Sequence, residues 1–316
     1  MILQALKEYY DRKAEDPESG MAPPGFEWKE IPFIIVLATD GTPISIEDTY
    51  EGEGRNRRAK RFLVPQAVKK TSGIAANLFW DNPEYVLGVP LKGKPERVSK
   101  QHEAFKERLD DIGEVEDEGF RAVRSFLVKD HKEQLLQGLG DCWQTLLKEG
   151  GNLTFRLAGD QNVILERPAI RAGLATASAK GIDGEHGVCL VTGGDDIIER
   201  LHPSIKGVYG AKSSGANIVS FNLDAFRSFN KNQGVNAPVG KAAAFAYTTA
   251  LNHLLSKGSR QRMQVGDAST IFWAEKATAF EQRFADFFGE PPKDDPDRGA
   301  QAVEGLFKSV DTGAFS

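Results

Sequence analysis

Cysteine is nearly absent from this chain of 316 residues, which has only Cys142 and Cys189. Two thiols cannot build the disulfide framework of a small secreted fold, and they fall short of the four ligands of a structural zinc site. Histidine is scarce too, with 5 residues. His186, Cys189 and His202 form an incomplete, irregular set, so no metal is expected and the thiol reads as a small buried side chain. No apolar run reaches the roughly 18 residues of a membrane span, and the longest, Ile31 to Ala38, is strand-sized. The N-terminus lacks the basic start and apolar stretch of a signal peptide. A reducing cytoplasm and no membrane are therefore expected. Also missing are the Gly-Lys-Ser/Thr of a phosphate loop and a Gly-x-Ser-x-Gly elbow. The glycine-containing segments 181–184 and Gly193-Gly194 read as ordinary turns, and no cofactor is expected. No short repeat or heptad array is visible.

What is present is a globular composition, 40% hydrophobic and 27% charged, enough for one large or two ordinary domains. The net charge of −5 counts against a simple nucleic-acid binder, but the total conceals segregation. From Arg55 to Trp80 the chain carries Arg55, Arg57, Arg58, Lys60, Arg61, Lys69 and Lys70 and no acid. From Arg200 to Lys241 it carries Arg200, Lys206, Lys212, Arg227, Lys231 and Lys241 against Asp224 alone. The acids concentrate from Asp110 to Glu118, which reads as a solvated loop.

Periodicity predicts a helix at the start, where Ile2, Leu3, Leu6, Tyr9 and Tyr10 recur at three- and four-residue spacing. A loop follows from Asp16 to Gly25, and Trp28 and Lys29 are read as part of it. Ile31 to Thr39 and Ile44 to Thr49 form a predicted hairpin around Asp40-Gly41. Asn77 to Trp80 and Tyr85 to Val89 read as strands. Helical patterns occupy Glu96 to Ile112, Gly119 to Lys129 and Lys132 to Lys148, with Phe120, Val123, Phe126 and Leu127 in one stripe. Strands return at Leu153 to Leu157, Val163 to Glu166, Val188 to Val191, Ile218 to Phe221 and Thr270 to Trp273. Between them lie helices at Ala169 to Lys180 and Lys241 to Ser256. A last helix places Phe280, Phe284, Phe287 and Phe288 on one face, and Gly289 to Gly299 is a linker by composition.

The expected class is α+β, with mixed or antiparallel sheets, a helical insertion and flanking helices. The expected layout is an N-terminal region over 1–288, with lobes of about 1–95 and 151–288 around an insertion at 96–148. Residues 289–316 would be a linker and the start of an absent C-terminal helical domain.

Asp195, Asp196 and Glu199 suggest metal-dependent hydrolysis on one reading and the acidic start of a short helix on the other. Asp294, Asp295 and Asp297 lie in the expected linker. No constellation persuades as catalytic, so no enzyme is expected, with a metal-dependent nuclease or a purely structural scaffold as alternatives.

The basic stretches point to an anionic partner. Seven cations without counter-charge repel one another unless solvated or neutralised. Arg55, Arg57 and Arg58 offer forked donors that match phosphate oxygens, and Lys69 and Lys70 supply flexible charge. Thr71, Ser72 and Gly73 form a small polar turn able to approach a groove edge, with Ser72 or Asn77 placed to hydrogen-bond there. In the second stretch, cations mix with Asn, Ser and Gly suited to phosphate and sugar contacts. Asn222 and Asn236 can equally hold loops through bonds to the backbone.

Several blocks resemble a known family. The opening Met1-Ile2-Leu3-Gln4-Ala5-Leu6, Phe62-Leu63-Val64-Pro65 and Leu201-His202-Pro203-Ser204-Ile205-Lys206-Gly207 are similar to the large subunit of the type I-C CRISPR surveillance complex (Cascade), the Csd-type family. So are Ile218-Val219-Ser220-Phe221-Asn222, Asn236-Ala237-Pro238-Val239 and Thr270-Ile271-Phe272-Trp273-Ala274-Glu275, in the family's order. The resemblance implies a non-catalytic subunit beside the crRNA 5′ handle. Such a subunit reads the protospacer-adjacent motif (PAM) in duplex DNA, helps open the duplex, guides the displaced strand and docks a helicase-nuclease. Target sequence is left to guide pairing. The resemblance implies a longer protein ending in a helical part, which is expected to be missing here. Some members carry Cys-x-x-Cys near Val188-Cys189, where only Cys189 stands here.

On this reading, residues 55–77 form the main DNA-contacting element. Lys69, Lys70, Thr71, Ser72 and Gly73 lie nearest the PAM, with Asn77 beside them and Arg55, Arg57, Arg58, Lys60 and Arg61 on phosphate. Trp28 and Lys29 are a lesser candidate for a wedge or second PAM contact. Lys206, Lys212, Asn217, Asn222, Lys231 and Asn236 line a path for a strand or the crRNA backbone. The expected partners are target duplex and displaced strand, crRNA, other Cascade subunits and the helicase-nuclease.

Overall fold

The computed structural model describes residues 1–69, 73–180, 184–212 and 214–276, and the single positions 278, 281, 284, 304 and 308; for Arg55 and residues 177–180 it describes the backbone alone. The chain begins with α1 (Ile2–Ala14), followed by β1 (Phe26–Glu30), β2 (Phe33–Leu37) and β3 (Pro43–Asp48). Next come β4 (Tyr50–Glu51), β5 (Arg58–Ala59), β6 (Arg61–Pro65) and the short α2 (Pro83–Val86). A helical run holds α3 (Pro95–Asp110), α4 (Glu118–Val128), α5 (Lys132–Gln137) and α6 (Asp141–Glu149). It leads to β7 (Leu153–Leu157), α7 (Pro168–Lys180), β8 (His186–Val188) and β9 (Asp195–Ile197). The last elements are α8 (Lys241–Leu254), β10 (Arg262–Val265) and β11 (Ala268–Ile271). The fold is α+β, with eight α-helices and five small sheets among the described residues. It divides into two compact units, Gly25–Asp183 and Met1–Pro24 with Gly184–Ser316.

In the unit Gly25–Asp183, a three-stranded sheet runs in the order β3-β2-β7. The β2–β3 hairpin is antiparallel, with Ile35 opposite Ile46, while β7 joins β2 in parallel, Phe33 opposite Leu153. All five residues of β2 are buried. That explains its unbroken apolar run, since a strand covered on both faces has no polar side to show. Helix α4 packs on β2 and β7, and α5 and α6 pack on β3. The predicted stripe of α4 is the buried one: Phe126 meets Phe155 at 5.9 Å and Phe120 meets Phe79 at 6.0 Å, each edge to face. The approach of α4 to the hairpin turn dictates Gly41. Its φ is +79°, and a Cβ there would sit 2.6 Å from the Phe126 amide nitrogen. Helix α4 starts on Asp117, whose side chain is buried, accepts the Phe120 amide proton at 3.0 Å and takes Arg167 Nε on both oxygens at 2.9 and 2.8 Å. Arg167 also donates to Asp160 at 2.6 Å. These hydrogen bonds, that to Asp117 foremost, hold the guanidinium more firmly protonated than usual.

In the other unit, α1 packs on α8. The buried face of α8 is rich in alanine (Ala243, Ala244, Ala246, Ala250), which lets Leu6, Tyr9 and Tyr10 come close. Tyr10 meets Phe245 edge to face at 5.6 Å and donates to the Ala22 carbonyl at 3.0 Å. Burial pushes the phenols of Tyr9 and Tyr10 up to about 12. Strands β8 with β9 and β10 with β11 form two separate antiparallel hairpins.

Several local expectations are corrected. Residues 77–80 form no strand, and Tyr85 and Val86 lie in α2. The reason is Asn82-Pro83: the Asn82 side chain caps the amides of Glu84 and Tyr85, and Pro83 suits the first helical turn. The expected strand at Val163 to Glu166 is a 3-10 turn at Ile164–Glu166, and residues 218–221 hold no regular structure. Strand β8 stops at Val188 because Cys189 begins a tight turn, its amide bonded to the Gly194 carbonyl at 2.8 Å. The pattern from Lys132 to Lys148 breaks into α5 and α6 at Gly138-Leu139-Gly140, where Gly140 takes φ +89°. Trp28 and Lys29, read as part of the early loop, lie in β1. The Asp195-Asp196 pair, read as a helix start, lies on β9. Apart from Glu281 and Phe284, the predicted helix from Phe280 to Phe288 lies outside the described residues, as do the expected linker and domain start over 289–316 apart from Glu304 and Lys308. Among the described residues no helix is long and apolar enough to cross a membrane.

Candidate nucleic-acid interface

The first basic segment is built on a two-stranded ribbon. Strands β1 and β6 pair antiparallel, with Phe26 opposite Pro65, Trp28 opposite Leu63 and Glu30 opposite Arg61. Opposed residues share a face, so Trp28, Leu63, Glu30 and Arg61 lie on one side. Glu27, Val64, Lys29 and Phe62 lie on the other, where Phe62 and Val64 are buried. Trp28 keeps 40% of its surface exposed, unusual for so large an apolar group. Arg61 reaches back to the Trp28 carbonyl at 3.5 Å. Lys29 lies over the buried Trp80 ring at 5.0 Å and beside Glu27 at 3.9 Å. Lys60 is exposed, with its ammonium 5.6 Å from the Phe62 ring.

Arg57 is held within the fold. It donates to both oxygens of Glu149 at 3.1 and 2.9 Å, lies 3.5 Å from Asp48 and stacks on Tyr50 at 3.8 Å. The bond to Glu149 raises its pKa further above the ordinary guanidinium value. Arg58 is exposed and donates to the Arg57 carbonyl at 2.8 Å. For Arg55 only the backbone is described, within a 3-10 turn at Gly54–Asn56.

The chain between Pro65 and Trp80 is fixed at both ends. Gln66 donates to the Gly25 carbonyl at 2.8 Å, and Trp80 Nε1 donates to the Pro65 carbonyl at 2.9 Å. Asn77, 5% exposed, accepts the Val68 amide proton at 3.0 Å, while its own amide donates to Asp81 at 2.9 Å. Asn77 thus closes the stem of this loop. Lys69 is half-buried near one end of the stem, and Gly73 is exposed at the other. Lys70, Thr71 and Ser72 lie outside the described residues.

The second segment belongs to the other unit. The Lys206 amide donates to Asn252 Oδ1 at 2.7 Å, and its ammonium donates to the Ser214 carbonyl. Lys212, Asn217, Asn222 and Lys231 are exposed. Asn236 spends its whole amide on its own loop: Oδ1 accepts the Ser228 amide proton at 2.9 Å, and Nδ2 donates to the carbonyls of Lys231 and Gln233 at 3.1 and 3.0 Å. The structure therefore brings Trp28, Lys29 and Arg61 together on one ribbon and Lys231 with Asn236 on one loop. Sequence reasoning missed the partners of Arg57. Asp48 and Tyr50 are near in sequence, but Glu149 gives no local signal.

The acidic trio is spread out. Asp195 and Asp196, adjacent on β9, point to opposite faces. Asp195 lies 3.5 Å from His186 Nδ1, and Asp196 accepts the Ile197 amide proton at 2.7 Å. Among the described residues no group of three or more His, Cys, Asp or Glu side chains is placed to hold a metal ion.

No curated protein matches this chain. The family model described as CRISPR-associated protein (Cas_Csd1) matches residues 6–316. That span takes in both basic segments and nearly all of both units, so the chain belongs to the Cas_Csd1 family of CRISPR-associated proteins and is a subunit of a CRISPR Cascade, with other Cascade subunits and crRNA as its implied partners.

Proposed function

We propose that this chain acts as the large subunit of a type I-C Cascade, without catalytic activity of its own. It reads the PAM in duplex DNA, aids strand opening, guides the displaced strand and helps recruit the helicase-nuclease. The observation that carries this reading is the ribbon with its loop: an exposed Trp28 beside Arg61, followed directly by a basic loop whose stem Asn77 and Trp80 hold shut. A fixed stem presents the residues between its ends to a groove at low entropic cost. Gly73 suits such an approach, because a Cβ there would meet nothing within 4 Å, so crowding by the fold does not call for glycine.

In this arrangement Arg55, Arg58, Lys60, Arg61, Lys69 and Lys70 contact phosphate, while Thr71, Ser72 and Gly73 face the PAM. Arg57 holds the segment to Glu149. Trp28 serves as a wedge beside the opened step, with Lys29 behind it. Reading from the minor groove would discriminate only partly, because its donor and acceptor pattern is degenerate.

The test is a gel shift of the assembled complex on target DNA with intact or scrambled PAM. Lys69→Ala/Lys70→Ala should weaken binding at all sequences and flatten the salt dependence by about 0.9 for each phosphate no longer neutralised. Ser72→Ala should instead change the PAM preference. An unaltered salt slope would remove the loop from the DNA site.

A further inference from the structure

The most exposed large apolar side chain among the described residues is Phe229, at 94%. It stands on a turn spanning 228–231, closed by the Lys231 amide donating to the Ser228 carbonyl at 2.9 Å. Both central residues are left-handed, Phe229 at φ +50° and Asn230 at φ +58°. Turns of that kind select Gly, Asn or Asp, so a phenylalanine at the first central position runs against the local preference. The Asn236 amide braces the turn from below through the Ser228 amide and the Lys231 carbonyl. The chain thus spends a strained backbone and a dedicated brace on holding one ring out in water.

The surroundings say what such a ring is for. Ser228, Asn230, Lys231 and Asn232 are all exposed and polar or cationic, and Arg227 precedes them, paired only at the surface with Asp224 at 3.1 Å. Leu223 and Phe226, earlier in the same segment, are exposed as well, at 57% and 46%. A ring set between the cations Arg227 and Lys231 matches a chain that alternates flat apolar faces with negative charge.

We propose that Phe229 is a stacking post for an unpaired base of single-stranded nucleic acid, with Arg227 and Lys231 on the adjoining phosphates. The proposal rests on the reading of this chain as a nucleic-acid-binding subunit and adds a contact in the unit away from the PAM loop.

The test measures binding of the purified chain to fluorescent oligo-dT and oligo-U by anisotropy across a salt series. Phe229→Ala and Phe229→Gly should each loosen binding about 5- to 150-fold while leaving the salt slope unchanged, since a stack carries no counterion release. Phe229→Trp should bind at least as tightly as wild type, and Lys231→Ala should lower the slope by about 0.7. Because glycine suits the left-handed turn, Phe229→Gly should not lower the thermal midpoint, which separates the missing stack from misfolding. The preferred oligonucleotide distinguishes a DNA from an RNA occupant. In the assembled complex, 5-iodouracil placed in the crRNA handle or in the displaced strand should crosslink to Phe229. Wild-type affinity in Phe229→Ala, or crosslinking of this turn to a neighbouring protein subunit alone, overturns the proposal. Wild-type failure to bind either oligonucleotide at low salt overturns both it and the nucleic-acid reading. Loss of binding in Lys69→Ala/Lys70→Ala with none in Phe229→Ala overturns the stacking post alone.

Discussion

The turn that carries Phe229 should come apart when Asn236 is replaced by alanine. The substitution removes three hydrogen bonds, those to Ser228, Lys231 and Gln233. Each contributes about 0.5–1.5 kcal/mol net, and two of the three lie where water readily replaces them, so the sum is about 1.5–3 kcal/mol. Against it stands the left-handed backbone, which costs about 1–2 kcal/mol for Phe229 and less for Asn230, whose short polar side chain tolerates that region. The two quantities are of similar size, so the brace decides whether the turn stays closed. Losing about 2 kcal/mol multiplies the open population about 30-fold. The readout is amide hydrogen exchange at Lys231, whose N–H closes the turn. It should exchange about 30-fold faster in Asn236→Ala, while the amides of α8 keep their protection. Adding Phe229→Gly removes the strain and should restore about 1 kcal/mol, roughly fivefold in exchange rate. Exchange at Lys231 within about twofold of wild type in Asn236→Ala would refute that balance of brace and strain.

Two further outcomes are expected. Asp117→Ala loses the cap of α4 and the Arg167 pair together, and it should lower stability to urea by about 2–4 kcal/mol once the partial exposure of Arg167 is discounted. Asp117→Asn keeps a capping oxygen and should lose about half as much; equal losses would show that the cap contributes nothing. His102 makes stability depend on pH. Burial depresses its pKa, with Lys132 and Lys106 acting in the same direction and the Tyr85 carbonyl opposing them. A depressed histidine contributes stability above its ordinary pKa near 6.5, and that contribution is lost as pH falls through the folded-state value. His102→Gln should therefore flatten the fall in thermal midpoint between about pH 7 and pH 5, and parallel curves for the two proteins would contradict this.

Much of the fold was legible because burial leaves a period in the sequence. The apolar run from Ile31 announced β2, and Phe120, Val123, Phe126 and Leu127 marked the face of α4. What escaped depends on partners or on single residues. Strand β1 alternates weakly and follows Pro23-Pro24-Gly25, so nothing local separates it from a loop until β6 is laid beside it. The parallel pairing of β2 with β7 joins segments far apart in the chain. Tyr85-Val86 looked like a strand because an apolar run is ambiguous, and one cap, Asn82, settles it as a helix. At the candidate site, charge made the basic stretches visible but gave no sign of which cations the fold keeps for itself. Arg57 goes to Glu149 and Tyr50, whereas Asn236 takes the loop-holding role that its residue type allowed. Phe229 was hidden because an aromatic residue in sequence reads as core, and only its exposure reverses that expectation.

The order in which the two units close on the ribosome follows from their nesting. The unit Gly25–Asp183 is inserted between α1 and the segment that completes its unit. Helix α1 leaves the ribosome first, yet α8, the partner of its buried face, begins only at Lys241. At synthesis rates of about 5–20 residues per second, α1 waits roughly 10 to 45 s with Leu6, Tyr9 and Tyr10 uncovered. The inserted unit is contiguous and can close during that interval, so it folds first. The outer unit, formed last by a long-range docking step, is the one whose nascent helix needs shelter from aggregation.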